Sequence, residues 1–401
     1  MTPLAITSFT ATCCLGRGNV ALLEALLGKR SGLTPCTFET VDLPTCVGEV
    51  QSVDDEQLPL GLRAFDCRNN RLAWLGLAQD GFTAAVHECA VRWGAKRVGV
   101  FLGTSTAGIL QTELAYRNRD SRTGALPHAF AYATTQNSFS LADFVRRALE
   151  LEGPAAVISS ACSSSAKVFG SARRMIEAGL IDAAVVGGVD SLCLTTLYGF
   201  HSLQLTSPQP CRPFDVDRDG ISISEAAAFA LLERPASPRA GNAIRLLGIG
   251  ESSDAYHMSS PHPEGLGARA AMLQALACAH LSPGDIGYIN LHGTGTQSND
   301  SSEGRAVAGI FAPETLASST KGATGHALGA AGALEAVICA LCLQNDFLPA
   351  GVNTRRIDPG LPVRYLGENR SGHLPYLLSN SFGFGGTNCC LVLGQPGGAG
   401  A

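Results

Sequence analysis

A weak internal repeat constrains this chain more than any other feature of it. The strand-like run Val98 to Thr106 ends in Gly103-Thr104-Ser105-Thr106, and Ile286 to Thr296 mirrors it, ending in His292-Gly293-Thr294-Gly295-Thr296. The apolar run Ala155 to Ile158, followed by the helix-patterned Ala166 to Leu180, is mirrored by Leu316 to Thr320 followed by Ala327 to Leu343. A third pair sets Gly220 to Leu232 against Leu377 to Leu393. Between them Ala73 to Arg92, Leu141 to Leu149 and Gly267 to His280 read as helices, and Ala183 to Val189 as a strand. A duplicated βα unit predicts an α/β chain of two similar half-domains with parallel-rich central sheets. Pro235 to Asn242 is rich in Pro, Ser and Gly and reads as the linker, which gives halves 1–240 and 241–401. A pseudo-twofold axis between them would bring the stretches after Ile158, Leu291 and Thr320 to one centre.

Composition excludes several functions. A hydrophobic content of 45% with 16% charged residues and 46 glycines describes a globular chain with ample core. The net charge of −5 offers no global field for nucleic acid or an anionic membrane. Met1 to Thr12 lacks the basic-then-apolar pattern of a signal peptide. The longest apolar run, Ala327 to Leu343, carries Glu335 and many small residues and reads as a buried core helix, not a membrane span. Fourteen cysteines without a secretory signal imply reduced thiols and a cytoplasmic location. Cys13-Cys14 and Cys389-Cys390 would point to opposite faces of strands. Cys339 and Cys342 have no second ligand pair at metal spacing, so no metal is expected.

Four stretches carry chemistry. In Ser159-Ser160-Ala161-Cys162-Ser163-Ser164-Ser165 a thiol sits where a strand feeds a helix, and a helix N-terminus lowers a thiol's pKa. A small buried core cysteine would fit the same stretch. His292 lies on a glycine-rich strand end with Thr294 and Thr296 following it. Lys321-Gly322-Ala323-Thr324-Gly325-His326 places a second histidine near a helix start, and Glu335, nine residues on, could pair with Lys321. The glycines of Ser381-Phe382-Gly383-Phe384-Gly385-Gly386 permit a loop tight enough to aim a backbone N–H at an oxyanion.

Together with Ser253 to Met258, Arg212-Pro213-Phe214-Asp215 and Arg218-Asp219-Gly220, these motifs resemble the β-ketoacyl-acyl-carrier-protein synthases of the elongating (type I/II) kind, in order and over nearly the whole chain. The resemblance implies the thiolase fold, two pseudo-symmetric halves in five α/β/α/β/α layers, usually dimeric. It implies that Cys162 is the acyl-accepting nucleophile. His292 and His326 would bind the malonyl thioester carbonyl, and Lys321 and Glu335 would orient His326. The N–H groups of Cys162 and Phe384 would form an oxyanion hole, Phe384 would also gate the acyl pocket, and Thr294 and Thr296 would hold the pantetheine arm. Phe382, His257, Gly108 and Gln111 would border the substrate. No cofactor is implied beyond the phosphopantetheine carried by the acyl carrier protein. In some relatives the positions of Asn290 and Glu335 hold a structural cation.

The chain departs from that pattern in places. Ser222 to Ala228 has no glycine, Gln297-Ser298 stands where relatives often carry Pro and an apolar residue, and Gly108 to Glu113 is polar for a pocket floor. Val189 to His201 is more similar to synthases of dedicated pathways, such as aryl-polyene or polyketide assembly, than to housekeeping fatty acid elongation. An acidic carrier would need a local basic patch, for which Arg63, Arg68 and Arg71, and Arg117, Arg119 and Arg122, are the clusters. The partner subunit would be a second copy or a chain-length-factor-like paralogue. An initiating synthase would need Asn in place of His326, and a thiolase a second cysteine in the 381–386 loop. A non-catalytic chain-length subunit would lack Cys162.

Overall fold

The computed structural model describes residues 2–241 and 243–395. Ten strands form its frame: β1 (Leu4–Cys13), β2 (Val98–Gly103), β3 (Ala155–Ile158), β4 (Ala183–Asp190) and β5 (Ala226–Glu233), then β6 (Ile244–Ser253), β7 (Tyr288–Asn290), β8 (Leu316–Ser318), β9 (Tyr376–Gly383) and β10 (Thr387–Gly394). The first five lie in the order β1-β5-β4-β2-β3 and the second five in the order β6-β10-β9-β7-β8. The two orders are the same, so these ten strands repeat in topology; a short strand, Arg364–Tyr365, extends the second half beyond β8. In each half the three strands farthest from β1 or β6 are parallel and the other pairings antiparallel. The repeat assigns Leu377–Leu393 differently from the sequence reading: β10 mirrors β5, while β9 mirrors β4. The seam strands β1 and β6, which that reading did not single out, pair over Leu4 to Ile6.

Besides the helix Gly18–Leu27 and the single turn Lys321–Thr324, the α-helices are α1 (Arg68–Leu77), α2 (Phe82–Trp93), α3 (Ile109–Arg117), α4 (Ser140–Ala148), α5 (Ser164–Glu177), α6 (Leu194–Ser202), α7 (Leu266–Ala279), α8 (Gln297–Ala308) and α9 (Ala331–Asn345). Helices α5 and α9 touch strands of both halves and fill the layer between the sheets. Helices α1, α2 and α4 cover the outer face of the first sheet, and α7 that of the second. That makes five layers with three apolar clusters between them, and the strands feed them by alternation. On β4, Ala184 and Val186 enter the central cluster and Ala183 and Val185 the outer one. Cys389 likewise faces the centre and Cys390 the outer core of the second half.

Leu328–Asn345 is long and apolar enough by composition to cross a membrane, but α9 is buried between the sheets, with Ala331 to Leu343 all inside. The helix read over Ala73–Arg92 is two, α1 and α2. Asp80 (φ 54°) and Gly81 (φ 68°) take the left-handed conformation between them, and the Asp80 carboxylate accepts from Thr10 Oγ1 and the Asn19 N–H.

Candidate active site

Strands β3, β7 and β8 end on the same side of the molecule, and each delivers one piece of the site. Beyond β3 the chain turns through Ala161, held at φ 51°, and presents Cys162 just ahead of α5. The turn is fastened by its serines: Ser164 Oγ accepts from the Ser160 N–H at 2.9 Å, and Ser163 Oγ donates to the Ser160 carbonyl at 2.9 Å. A left-handed non-glycine residue costs on the order of 1 kcal/mol, and here it aims the thiol out of the turn toward the other two loops.

Beyond β7, the His292–Thr296 loop is pinned by two carboxylates one turn apart on α8. Glu303 accepts the His292 and Gly293 N–H groups, each at 2.8 Å, and Asp300 accepts Thr294 N–H at 3.0 Å. The loop needs its glycines: Gly295 has φ 84°, and a Cβ there would lie 2.8 Å from the Gly220 carbonyl. Sequence reasoning missed Asp300 and Glu303. Their spacing of three residues on a helix that follows a glycine-rich loop was the available signal.

Beyond β8 come Lys321 and then His326, which stands in a turn five residues before α9 and not in the helix itself. His326 Nε2 lies 3.1 Å from Cys162 Sγ. Its Nδ1 accepts the Leu328 N–H at 3.2 Å, so Nε2 carries the ring proton and points it at sulfur. His292 is set in the same way by a different group. Lys321 Nζ lies 3.3 Å from His292 Nδ1, donates to the His292 carbonyl at 2.6 Å, and is paired with Glu335. Lys321 and Glu335 therefore orient His292, not His326 as expected, because the lysine reaches back along the 292 loop. The two rings meet edge to face at 5.3 Å.

Burial governs the charges. It drives both imidazoles well below the usual histidine range, and the Lys321 ammonium adds to the effect, so both are neutral. Burial also pushes the Cys162 thiol up to about 11, against the lowering by Lys321 and by the Phe384 N–H directed at the sulfur. The helix-terminus argument for a ready thiolate is thus outweighed by desolvation, and the resting nucleophile is a thiol. Glu335, also raised by burial, reaches about 7 beside Lys321.

The ligand atoms of Cys162, His292 and His326 lie within 4.8 Å of one another, a spacing a metal ion could use. The tautomers oppose it. Each Nδ1 faces a donor, so each Nε2 holds a proton and has no lone pair to give. Elsewhere, Asn290 Oδ1 and Glu335 Oε2 are buried oxygens with no hydrogen-bond partner among the described residues, the kind of ligand atom that the structural cation suggested by the resemblance would use.

Cys162 opens on a cleft also lined by Thr294, Thr296, Phe382, Phe384 and Phe200. Thr294 and Thr296 share a hydroxyl contact of 3.0 Å, and Phe384 rests on Phe200 at 5.4 Å. Other expected residues lie elsewhere. Gly108 is closed against the Thr135 carbonyl, and Gln111 lines a separate cavity with Leu114 and Phe130. The turn of α3 buries Leu110 instead. His257 is exposed and folds onto its own loop, its Nδ1 accepting from the Ser259 N–H, although Ser259 itself borders the cleft.

Of the basic clusters, Arg68 is not a surface residue. It is 2% exposed and bonds Glu225 and Asp54, because the pocket around Glu225 needs a cation. Arg71 is chelated by Asp66, Arg117 donates to Thr40, and Arg63, Arg119 and Arg122 are exposed.

The family model described as the β-ketoacyl synthase N-terminal domain matches residues 1–237, and that of the β-ketoacyl synthase C-terminal domain matches residues 244–355. A 3-oxoacyl-[acyl-carrier-protein] synthase 2 of Coxiella burnetii is 32% identical, over 97% of this chain and 98% of the relative. Among solved structures, the ketosynthase ApeO, in complex with its chain length factor ApeC from Xenorhabdus doucetiae, is 39% identical with a TM-score of 0.87 over 98% of each chain. The ishigamide ketosynthase/chain length factor is 26% identical, with a TM-score of 0.88 over 99% of this chain and 100% of that one. The chain belongs to the β-ketoacyl synthase family.

Proposed function

We propose that the protein joins an acyl group held on Cys162 to malonyl-acyl-carrier protein, with loss of carbon dioxide, to give β-ketoacyl-acyl-carrier protein. One observation carries this reading. Two neutral imidazoles, each with Nδ1 saturated by a donor, have Nε2–H groups that converge beside one buried thiol. That arrangement stabilises an oxyanion without giving up a proton.

In the first half-reaction the Cys162 sulfur attacks the acyl-carrier thioester, and its proton leaves with the carrier thiol. The N–H groups of Cys162 and Phe384 hold the tetrahedral oxyanion. In the second, the malonyl thioester oxygen accepts from His292 and His326 while the bond to the carboxylate breaks and carbon dioxide leaves. The resulting enolate carbon attacks the acyl carbon, and Cys162 departs as thiolate and recovers a proton. Thr294 and Thr296 bind the pantetheine arm, which the carrier brings, so no resident organic cofactor is needed. The open space in the cleft is about 60 Å³, room for only a few waters. A long chain therefore enters only when the Phe384 ring leaves Phe200. Asn290 and Glu335 would hold the structural cation, which would balance buried charge.

Halves 1–240 and 241–401 supply Cys162 and the two histidines respectively. The likeness to ApeO and to the ishigamide ketosynthase supports a dedicated polyketide or polyene pathway and a chain-length-factor-like partner. Housekeeping fatty acid elongation is the second reading, favoured by the name of the Coxiella relative, 3-oxoacyl-[acyl-carrier-protein] synthase 2; its partner subunit would then be a second copy. All fourteen cysteines are unpaired, which supports a cytoplasmic location.

The test is to supply purified protein with an acyl carrier and malonyl carrier and follow the carrier by mass. The expected result is a β-ketoacyl carrier, and no product with any acyl group overturns the reading. The carrier patch has its own test, in which Arg63, Arg119 and Arg122 are exchanged for Glu. KM for carrier should rise several-fold, less so at high salt, with kcat unchanged. An unchanged KM removes these residues from the docking face.

A further inference from the structure

Asp190, the last residue of β4, is completely buried. Among the described residues no cation hydrogen-bonds it; six neutral donors surround it instead. Oδ1 accepts from Thr104 Oγ1 (2.7 Å), Ser105 N–H (2.8 Å), Thr106 N–H (2.8 Å) and Thr106 Oγ1 (2.7 Å). Oδ2 accepts from Ser105 Oγ at 2.6 Å and from the Gly329 N–H at 2.5 Å. The Gly329 N–H also lies 3.2 Å from Ser105 Oγ.

Gly329 follows Leu328, and Leu328 is strained: its φ is 48°, in the left-handed region. Its N–H is the group that occupies His326 Nδ1 and so leaves the proton on Nε2, facing Cys162. The fit at Gly329 is tight, since a Cβ there would lie 2.7 Å from Asp190 Oδ2. We propose that Asp190 is a positioning residue for the condensation: by anchoring Gly329 it holds Leu328 in its strained turn and thereby fixes the tautomer of His326. It touches neither the sulfur nor the imidazole and acts through the turn between them. The proposal rests on the condensing role of His326 given above.

The charge of Asp190 provides a second, independent handle. The groups that face Cys162 electrostatically are Lys321, which lowers the thiol, Asp190, which raises it, and the two neutral histidines. Neutralising Asp190 without changing its shape therefore moves the thiol down, an effect that packing alone does not produce.

The experiment compares wild type with Asp190→Asn and with Ser105→Ala. The milder Ser105→Ala keeps the carboxylate but removes one donor to Oδ2 and the second acceptor at Gly329. Three quantities are read: ¹⁵N shifts of the His326 ring, kcat and KM for malonyl-carrier decarboxylation, and peptide-resolved alkylation of Cys162 against pH. In Asp190→Asn the ring proton should redistribute toward Nδ1. The decarboxylation kcat should fall on the order of 10²-fold, as for a lost oxyanion donor, with KM within about twofold, and alkylation should begin at lower pH. Ser105→Ala should show the first two effects more weakly, with the alkylation curve unmoved. If Asp190→Asn does not fold, Ser105→Ala decides on the ring shifts and kcat. An unchanged His326 tautomer with wild-type kcat in the folded variants overturns the proposal. If the wild type decarboxylates nothing while Asp190→Asn still shows the expected tautomer change, the condensing role is overturned and the positioning stands.

Discussion

Replacing Cys162 with Ala should abolish acyl-enzyme formation. Intact-mass measurement after incubation with acyl carrier should show the acyl increment on wild type and none on the variant, and condensation should fall at least about 10⁴-fold. Neither proposed oxyanion hole loses a donor, because the N–H groups of residues 162 and 384 belong to the backbone, and His292 and His326 remain neutral imidazoles fixed by Lys321 and Leu328. Malonyl-carrier decarboxylation should therefore persist in Cys162→Ala, so the two half-reactions separate. Stability should change little, since the sulfur borders the cleft and its loss leaves no closed cavity. Acyl mass on the variant would move the nucleophile to another of the fourteen cysteines, and a loss of decarboxylation equal to the loss of condensation would mean that the thiol takes part in both steps.

The residues of this site were legible in the sequence to different depths. Cys162, His292 and His326 could be singled out because each follows a strand in a loop of small residues, a local pattern that spacing records, and the family resemblance then gave them their roles. Their convergence followed from the repeat, and the repeat is visible because β2 and β7, or β3 and β8, end in similar loops. Which partner sets which histidine was not legible. Lys321 is five residues from His326 and 29 from His292, yet it serves His292, because the lysine reaches across the seam between two loops that only the fold brings together. Arg68 failed as a surface residue for a related reason. Its helix position looks solvent-facing until Glu225, from the strand region 157 residues away, is placed against it. The thiol misled in the other direction: a helix terminus is visible in sequence, but the burial that outweighs it depends on the packing of β9 and α9 over the turn. Gly108 and Gln111 were placed at the pocket by position in the chain, whereas the turn of α3 decides which of its side chains point inward.

Lys321→Ala should strike three functions at once. The ammonium lowers the pKa of Cys162 and of both histidines, so its removal raises all three, and the alkylation of Cys162 should require higher pH than in wild type. That shift is opposite in sign to the one expected from neutralising Asp190, so the two variants together separate charge from general disruption. His292 Nδ1 loses its donor, the ring proton is free to settle there, and Nε2 then meets the malonyl oxygen as an acceptor. Decarboxylation should fall about 10²–10³-fold. Stability should suffer as well, because Glu335 is left buried without its partner, and breaking a buried pair from one side costs about 3–5 kcal/mol. The sign with pH follows from the raised carboxyl. Glu335 is already lifted from 4.5 to about 7 with Lys321 present, and without it the folded value rises further. The folded state then holds a proton that the unfolded state has lost, so stability falls as pH rises from about 4.5 until the folded carboxyl itself ionises. Lys321→Ala/Glu335→Ala should recover much of the stability and its pH independence but none of the decarboxylation. If Lys321→Ala keeps wild-type decarboxylation and an unmoved alkylation profile, Lys321 is a structural ion-pair partner only, and the tautomer of His292 is set by something else.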